Sequence, residues 1–367
     1  MARRVRIEHV AREAGVSKTA VSFAFNQPDR LNRATRERIL AAAEDLGYRP
    51  SPIARRLAAR RTDQFGVVVP QATHDAFANP FMPELLRGMG DVCDELGISL
   101  VIVPPVAGSI GRAVEGALVD GFVLLGLEPD HPELDLVRRS GVPVVALDVE
   151  SWGDADVIAI DDTGGGRQIA EHLYALNHRD IGIVLIAEHP AARLDEGAGI
   201  SARRLSGIRG GFEAASSADG AEPVRLRIIS APVTEEGGRA AFGELFADGL
   251  PTAIIAITDL TAIGILVAAR EHGVSVPDQL SVVGFDDIPP AAWTSPPLTT
   301  VHQPIRDKGR LAARRLADLI GASDGHRPIT EMLATRLVVR GSTQSARPSG
   351  PNRPTIAAQG EGGEPAR

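Results

Sequence analysis

The amino-acid sequence predicts a small all-α head followed by an α/β body of two doubly wound subdomains. Three observations carry that expectation. The 367-residue chain has a formal charge of −8, yet residues 1–61 hold 14 basic against 6 acidic side chains, a balance of +8. The remainder holds 25 basic against 41 acidic, or −16. Such asymmetry is what a nucleic-acid-binding head on an acidic body produces. Within the first fifty residues, apolar positions recur at helical spacing in three short stripes. Beyond residue 65, β-branched runs alternate with amphipathic stretches, the pattern of parallel sheets covered by helices. A composition of 44% hydrophobic and 23% charged residues excludes a mostly disordered chain.

In the head, Ile7, Val10, Ala11 and Ala14 stand at i, i+3, i+4 and i+7, one apolar stripe on a two-turn helix. Gly15-Val16-Ser17 interrupts it: glycine permits the tight turn, Val16 fills the angle between helices, and Ser17 can cap the next helix. In that helix Val21, Ala24 and Phe25 face inward, while Lys18, Thr19, Ser22, Phe23 and Asn26 face outward. A third helix follows Asn32, with Ile39, Leu40, Ala43 and Leu46 inward and Gly47 ending it. Two short helices around a glycine turn, buttressed by a third, form a helix-turn-helix, whose second helix fits a major groove. A purely structural bundle would carry the same stripes. It gives no reason for Phe23, a large aromatic opposite the core that suits a thymine methyl or a partner surface.

Several of these residues carry a resemblance. The run from Ile7-Glu8-His9-Val10-Ala11-Arg12-Glu13-Ala14-Gly15-Val16-Ser17 through Lys18-Thr19-Ala20-Val21-Ser22, with Asn26, Thr35-Arg36 and Leu46-Gly47-Tyr48-Arg49-Pro50, resembles the head of the lactose-repressor (LacI) family of transcription regulators. The resemblance implies that Lys18, Thr19 and Ser22 read bases, with Ser17 and Phe23 beside them. It also implies that Asn26, Arg30, Asn32 and Thr35 mainly hold phosphates. Phe23 departs from the polar side chain common in the family.

Next, Ser51 can cap and Pro52 can open a further helical turn, too short to persist in water alone because helix nucleation is costly. The family uses this segment as a hinge helix in the minor groove. Leu57 matches the wedge at the central base step, beside Ala54, and Arg55 and Arg56 can neutralise phosphates. A flexible basic linker is the plainer reading of the same residues.

In the body, strands are expected at 66–70, 98–103, 121–125, 143–147, 181–186, 253–257 and 280–285, and helices at 81–96, 168–177, 235–246 and 261–271. Family-like segments continue through Asn79-Pro80-Phe81, Leu147-Asp148, Ile160-Asp161-Asp162, Glu171-His172-Leu173 and Val283-Gly284-Phe285-Asp286-Asp287, closing at Val339-Arg340-Gly341-Ser342. They imply a periplasmic-binding-protein-like core: two lobes, joined by three crossovers, closing on a small molecule. At strand ends or loops matching the family's pocket stand Arg204, a fork-shaped donor for hydroxyls or a carboxylate, and Asp286, an acceptor for hydroxyls. Asp148, Asp161 and Asp259 occupy comparable positions, where a helix cap or crossover salt bridge is the alternative, and Phe81 offers an aromatic platform.

No catalytic motif is legible. Gly164-Gly165-Gly166 lacks the dinucleotide spacing, neither lysine (Lys18, Lys308) follows a phosphate-binding loop, and the nine histidines are scattered. Cys93, the single cysteine, lies on the apolar stripe Leu85, Met89, Val92, Leu96 and is expected in the core. The expected organisation is therefore a helix-turn-helix domain over 1–50, a hinge helix over 51–62, an effector-binding and dimerisation core over 63–343 and a disordered tail over 344–367. The expected function is a cytoplasmic DNA-binding regulator, a repressor in the family's usual sense, and not an enzyme. It would act without cofactor or metal. Its expected partners are a near-palindromic double-stranded operator, a small-molecule effector (a sugar by default, a purine or other metabolite as the alternative) and a second copy in a homodimer, with no membrane. The competing class is a sugar-binding protein or enzyme built on the same body.

Overall fold

The computed structural model describes residues 5–49, 61–187, 199–322 and 326–347. The chain divides into two compact units. One comprises residues 1–64 with 118–120, the other residues 65–117 with 121–367.

The first unit carries α1 (Ile7–Glu13), α2 (Lys18–Asn26) and α3 (Arg33–Asp45), with a 3-10 turn at Pro28–Arg30. Gly15 takes φ +62° between α1 and α2, and Ser17 Oγ accepts from Ala20 N at 3.1 Å to cap α2. Asn32 Oδ1 accepts from Thr35 N at 2.8 Å to cap α3. Val10, Ala11, Ala14, Val21, Ala24, Ile39, Ala42 and Ala43 form the core, with Phe25 and Tyr48 packed on it at a ring separation of 6.0 Å. Leu40, expected inward, is half-buried and lies outside that cluster. Ala42 replaces it because Ile39, Ala42, Ala43 and Leu46 are the true i, i+3, i+4, i+7 set.

In the second unit, β1 (Gln64–Val68), β2 (Ser99–Val103), β3 (Gly121–Leu125), β4 (Val144–Leu147) and β5 (Asp156–Ile160) build lobe 1. Its helices are α4 (Thr73–Ala78), α5 (Phe81–Leu96), α6 (Ile110–Gly116) and α7 (Leu134–Arg139). Lobe 2 contains α8 (Asp162–Ala175), β6 (Asp180–Ile186), α9 (Gly199–Asp219) and β7 (Arg225–Ala231). It continues through α10 (Glu235–Ala247), β8 (Ala253–Ala256), α11 (Asp259–Glu271), β9 (Ser281–Asp286) and β10 (Thr299–His302). After β10 the chain returns to lobe 1 as α12 (Ile305–Gly321), and then adds β11 (Thr330–Leu333) to lobe 1 and β12 (Arg336–Val338) to lobe 2. The sheet orders are β2-β1-β3-β4-β5-β11 and β7-β6-β8-β9-β10-β12, so both lobes share one doubly wound topology. The strand pairings resolved in register among the described residues are parallel except β10 with β12. Ligands of such sheets bind at the carboxyl ends of the strands.

Three helix pairs cross at glycines. A Cβ on Gly88 of α5 would lie 1.9 Å from Arg306 O of α12, one on Gly207 of α9 would lie 2.0 Å from Thr163 O of α8, and one on Gly264 of α11 would lie 2.1 Å from Glu235 O of α10. Backbones touch where no side chain intervenes, so each crossing is fixed in register.

Four differences from the sequence expectation have physical causes. Helix α8 begins at Asp162, six residues before the expected 168, because the triple glycine is helical under close packing against α9 and Phe285. Helix α9 was not anticipated, and Arg204 sits inside it rather than at a strand end or loop. Its buried face is made of Gly207, Gly211, Arg203 and Arg204 as much as of Leu205, Ile208 and Phe212, which blurs the apolar stripe. Strand β7 carries Arg225 and Arg227 on an edge of its sheet, so it lacks a continuous apolar run. Gln344–Arg347, expected in the tail, are held: His178 Nε2 lies 2.9 Å from Gln344 O, Ala346 N donates to Leu176 O at 2.7 Å, and Arg347 pairs with Asp278. Cys93 is buried as expected, and burial pushes its thiol up to about 11.

Candidate functional site

The candidate reading face of the head is α2. Thr19 is exposed on its first turn, and Lys18 Nζ reaches back to Glu8 Oε1 at 2.6 Å across the turn. That contact holds the Glu8 carboxyl below its ordinary value. The pair is open to solvent, so it orients Lys18 more than it stabilises the fold. Asn26 Nδ2 donates to Ser22 Oγ at 3.2 Å, fixing two polar tips one turn apart. Phe23 corrects the expectation of a bare aromatic: it is half-buried, and the Arg30 guanidinium carbon lies 5.3 Å from its ring centroid. The 3-10 turn folds Arg30 back over the ring, a cation–π contact that sets this arginine beside α2. Ser17 and Asn32 serve as caps, and Thr35 contributes its N–H to the second cap. Ala54, Arg55, Arg56 and Leu57 lie outside the described residues.

In the body, strand ends from both lobes converge on one buried polar cluster. Asp148 follows β4, and both its carboxylate oxygens accept from Lys308 Nζ of α12, at 2.7 and 2.8 Å. Lys308 is 0% exposed and also donates to Gln303 Oε1 at 2.7 Å, in the passage from β10 to α12. Gln303 Nε2 donates in turn to Asp286 Oδ1 at 2.6 Å, at the end of β9. From α9, Arg204 Nη1 lies 3.4 Å from the same Asp286 oxygen and donates to Ile257 O at 2.5 Å, while its Nε donates to Asp162 Oδ1 at 2.8 Å. The guanidinium carbon stands 3.6 Å from the Phe285 ring centroid. Arg203 completes the circuit: Nε to Asp162 Oδ2 at 3.0 Å, Nη1 to Glu128 Oε1 at 3.2 Å and Nη2 to Asp148 O at 2.6 Å. Phe81, at the start of α5, is half-buried with Lys308 Nζ 5.0 Å from its centroid.

The backbone of this cluster is strained. Asp148, Asp286 and Asp287 have φ of +60°, +126° and +58°, a region costing side-chain-bearing residues on the order of 1–3 kcal/mol each. Such conformations persist only where surrounding contacts over-determine them, and Lys308, Gln303 and Arg204 do that for Asp148 and Asp286. Burial raises the Asp286 carboxyl above its ordinary range, opposed first by the Arg204 charge. Burial likewise raises Glu128, opposed by Arg203.

The remaining two aspartates do structural work. Asp161 caps α8, accepting from Gly164 N at 2.7 Å, and its backbone oxygen accepts from Thr335 Oγ1 at 3.1 Å where the chain passes from β11 to β12. Asp259 is 0% exposed, with Oδ1 accepting from Thr300 Oγ1 at 2.5 Å and Oδ2 from Ile288 N at 2.9 Å. It ties β10 and the segment after β9 to α11 inside lobe 2. Of the six residues the sequence offers for the pocket, Phe81, Asp148, Arg204 and Asp286 come together in this cluster and Asp161 and Asp259 do not, while Arg203, Asp162, Glu128, Gln303 and Lys308 join it unannounced by the sequence. Lys308 had a signal: a lysine on the stripe Ile305, Lys308, Gly309, Ala312, where an unpaired charge is untenable.

Comparison with known proteins fits these two units. The family model for bacterial regulatory proteins, lacI family, matches residues 6–51, and that of a periplasmic binding protein-like domain matches residues 170–343. The HTH-type transcriptional regulator CelR of Thermobifida fusca is 35% identical over 350 residues, covering 93% of this chain and 98% of that protein. A solved complex of the transcriptional regulator CelR with cellobiose is 31% identical with a TM-score of 0.66, over 92% of this chain and 100% of that one. The lac repressor dimer bound to operator and the anti-inducer ONPF is 27% identical with a TM-score of 0.72, over 93% and 100% of the two chains.

Proposed function

Since this chain belongs to the lacI family of bacterial regulatory proteins, and so is a DNA-binding transcriptional regulator and not an enzyme, we propose that it is a repressor whose operator affinity is set by a sugar held between the two lobes of its body. The observation that carries the proposal is Arg204 of α9 reaching Asp286 at the carboxyl end of β9, a pair linked through Gln303 to Lys308 and Asp148 of lobe 1. A guanidinium fork beside a carboxylate offers both donors and acceptors to vicinal hydroxyls. The cluster gathers three cations and four carboxylates, so an anionic ligand adds to a charge that is already negative in excess whereas a neutral one does not. Cellobiose in the CelR complex is a neutral sugar of this kind.

DNA is read by Lys18, Thr19 and Ser22, with Ser17, Asn26, Arg30, Asn32 and Thr35 positioning the head, Phe23 supporting Arg30, and Ala54, Arg55 and Leu57 engaging the minor groove. The protein acts as a C2 homodimer on a nearly palindromic operator. The lac repressor bound to its operator, to which this chain is similar in fold, is a dimer. Among the described residues no helix is long and apolar enough to cross a membrane; as a bacterial regulator that binds DNA, the protein acts where the chromosome lies, in the cytoplasm. Effector and operator are linked through lobe closure: a ligand with unequal affinity for the two closures shifts DNA affinity by that difference.

The test is operator titration with and without cellobiose, ribose and adenine, for the natural chain and Arg204→Ala. A neutral sugar should shift the operator midpoint of the natural chain at least tenfold and leave that of Arg204→Ala unmoved. A response to adenine alone moves the effector to the purines, and an Arg204→Ala protein that responds at natural sugar concentrations moves the pocket elsewhere.

A further inference from the structure

We propose that Arg203 is a positioning residue that braces the two lobes against each other. Arg203 is 9% exposed and belongs to lobe 2, yet two of its three side-chain nitrogens are spent on lobe 1. Nη1 donates to Glu128 Oε1 (3.2 Å) beyond β3, and Nη2 donates to Asp148 O (2.6 Å) beyond β4. Only Nε stays at home, on Asp162 Oδ2 at 3.0 Å.

What makes this a brace rather than a loose surface pair is the rigidity of its base. A Cβ on Gly166 would lie 2.3 Å from Arg204 O, and one on Gly207 lies 2.0 Å from Thr163 O, so the α8–α9 crossing fixes the backbone that carries the arginines. Asp162 anchors both guanidiniums to that base, at 3.0 and 2.8 Å. The far ends of Arg203 therefore hold Glu128 and Asp148 at set distances, and lobe 1 with them. Its neighbour Arg204 does not span: its partners, Asp162, Ile257 O and Asp286, all belong to lobe 2.

The division of labour follows. Arg204 and Asp286 are 4% and 5% exposed, so a molecule from solvent reaches them only when the lobes part. Parting requires breaking the two Arg203 contacts to lobe 1. Arg203 and Glu128 thus set how often the cleft opens, while Arg204 and Asp286 face what enters. Glu128 is the weaker end, since it is only part-buried and water can replace the arginine there. The inference goes beyond the effector reading, because closure can be measured with no ligand present.

The experiment uses the full chain labelled with nitroxides at Ser140→Cys in lobe 1 and Ser217→Cys in lobe 2, both exposed. Cys93 is buried with its thiol raised to about 11, so it stays unlabelled near neutral pH. Pulsed electron resonance then gives the distance distribution between lobes without ligand. Arg203→Met should broaden it and move it several ångströms away from the natural distribution, Glu128→Gln should do so partly, and Arg204→Met should leave it in place. Arg203→Met with an unchanged distribution and a lowered melting temperature assigns Arg203 to lobe 2 stability alone and overturns the proposal. A shift equal in Arg203→Met and Arg204→Met also overturns it, since the brace would not reside in Arg203. If Arg203→Met does not fold, Glu128→Ala on the opposite lobe decides, with an unchanged distribution counting against the brace. Stopped-flow binding of cellobiose adds a second readout: faster entry in Arg203→Met by about tenfold. Absence of sugar binding in every variant would sink the effector reading and leave the distance result standing.

Discussion

The head and the cleft assemble recognition in opposite ways. In the head, the described residues proposed for DNA lie between Ser17 and Thr35, and successive turns of two helices present them. Their polar tips are mostly exposed, and their local contacts, Lys18 with Glu8 and Asn26 with Ser22, are solvent-screened. In the cleft, Glu128, Asp148, Asp162, Arg203, Arg204, Asp286 and Lys308 come from six different elements or their ends, and most are almost fully enclosed. On the proposed reading, a nucleic acid is met by solvated charge on a small rigid support, whereas a small neutral molecule is met by charges mostly paired with one another. The first arrangement should respond to salt and the second should not.

The largest effect expected follows from that contrast. Specific operator affinity should drop on the order of 10³-fold or more between 50 and 200 mM salt if about six phosphates are neutralised. Sugar affinity, measured calorimetrically over the same range, should change by less than about twofold, since the cleft charges are buried. A flat salt response of DNA binding would overturn the electrostatic role of the +8 head.

The next prediction compares two glycines on one helix. Gly207→Val in α9 forces a side chain against Thr163 O, so it should cost about 1–3 kcal/mol or more of stability and reduce the effector response without touching the ligand. Gly210→Ala, three residues on and with nothing within 4 Å, should stabilise by roughly 0.5–1 kcal/mol and leave the response intact. Denaturant melts paired with operator titration separate the two. Equal effects would mean the crossing does not position Arg203 and Arg204.

In the head, Thr19→Ala should change base preference at particular operator positions by about 1–3 kcal/mol, as loss of a base-edge contact does. Arg30→Ala should weaken all sequences more evenly, and it also uncovers the Phe23 ring, so some general loss of stability should accompany it. Binding to a library of single-base operator variants is the measurement. A sequence-selective Arg30 effect would exchange the two roles.

The same contrast explains what the sequence made legible. The head's three apolar stripes and the Gly15 turn are short-range features, and reading them recovered its helices, caps and outward face. Phe23 escaped because its cover, Arg30, arrives through a 3-10 turn that no periodicity marks. In the body, strands with continuous apolar runs such as β3 and β9 were plain, whereas β7, with its alternating arginines, and α9, with its glycine face, were not. Arg204 and Asp286 were found only through a resemblance, because nothing local tells a strand-end aspartate from a helix cap. Asp161 and Asp259 show this: both were candidates, and the structure uses one as a cap and the other as an internal tie. Lys308 reaches Asp148, 160 positions away, a separation that spacing within one element does not encode.

The smallest effect tests the buried side of the comparison through pH. Burial raises the Asp259 carboxyl well above the ordinary value, with the Asp286 charge adding to the rise, and the Thr300 and Ile288 hydrogen bonds oppose it. The folded protein then holds that proton more tightly than the unfolded chain does. Its contribution is fully present below the unfolded value of about 3.9 and is lost as pH rises from there toward the raised folded value, by at most about 1.4 kcal/mol per pH unit. Asp259→Asn keeps an acceptor for Ile288 N and can donate to Thr300 Oγ1, yet it cannot ionise. Thermal melts of the full chain between pH 4 and 8 should therefore show the natural protein losing ground to Asp259→Asn as pH rises. In the head the Glu8 carboxyl moves the opposite way, held below its ordinary value by Lys18, so it gives no matching loss as pH rises. Parallel pH profiles for the natural protein and Asp259→Asn would mean that Asp259 stays ionised in the fold, satisfied by its two hydrogen bonds alone, and the raised value would be withdrawn.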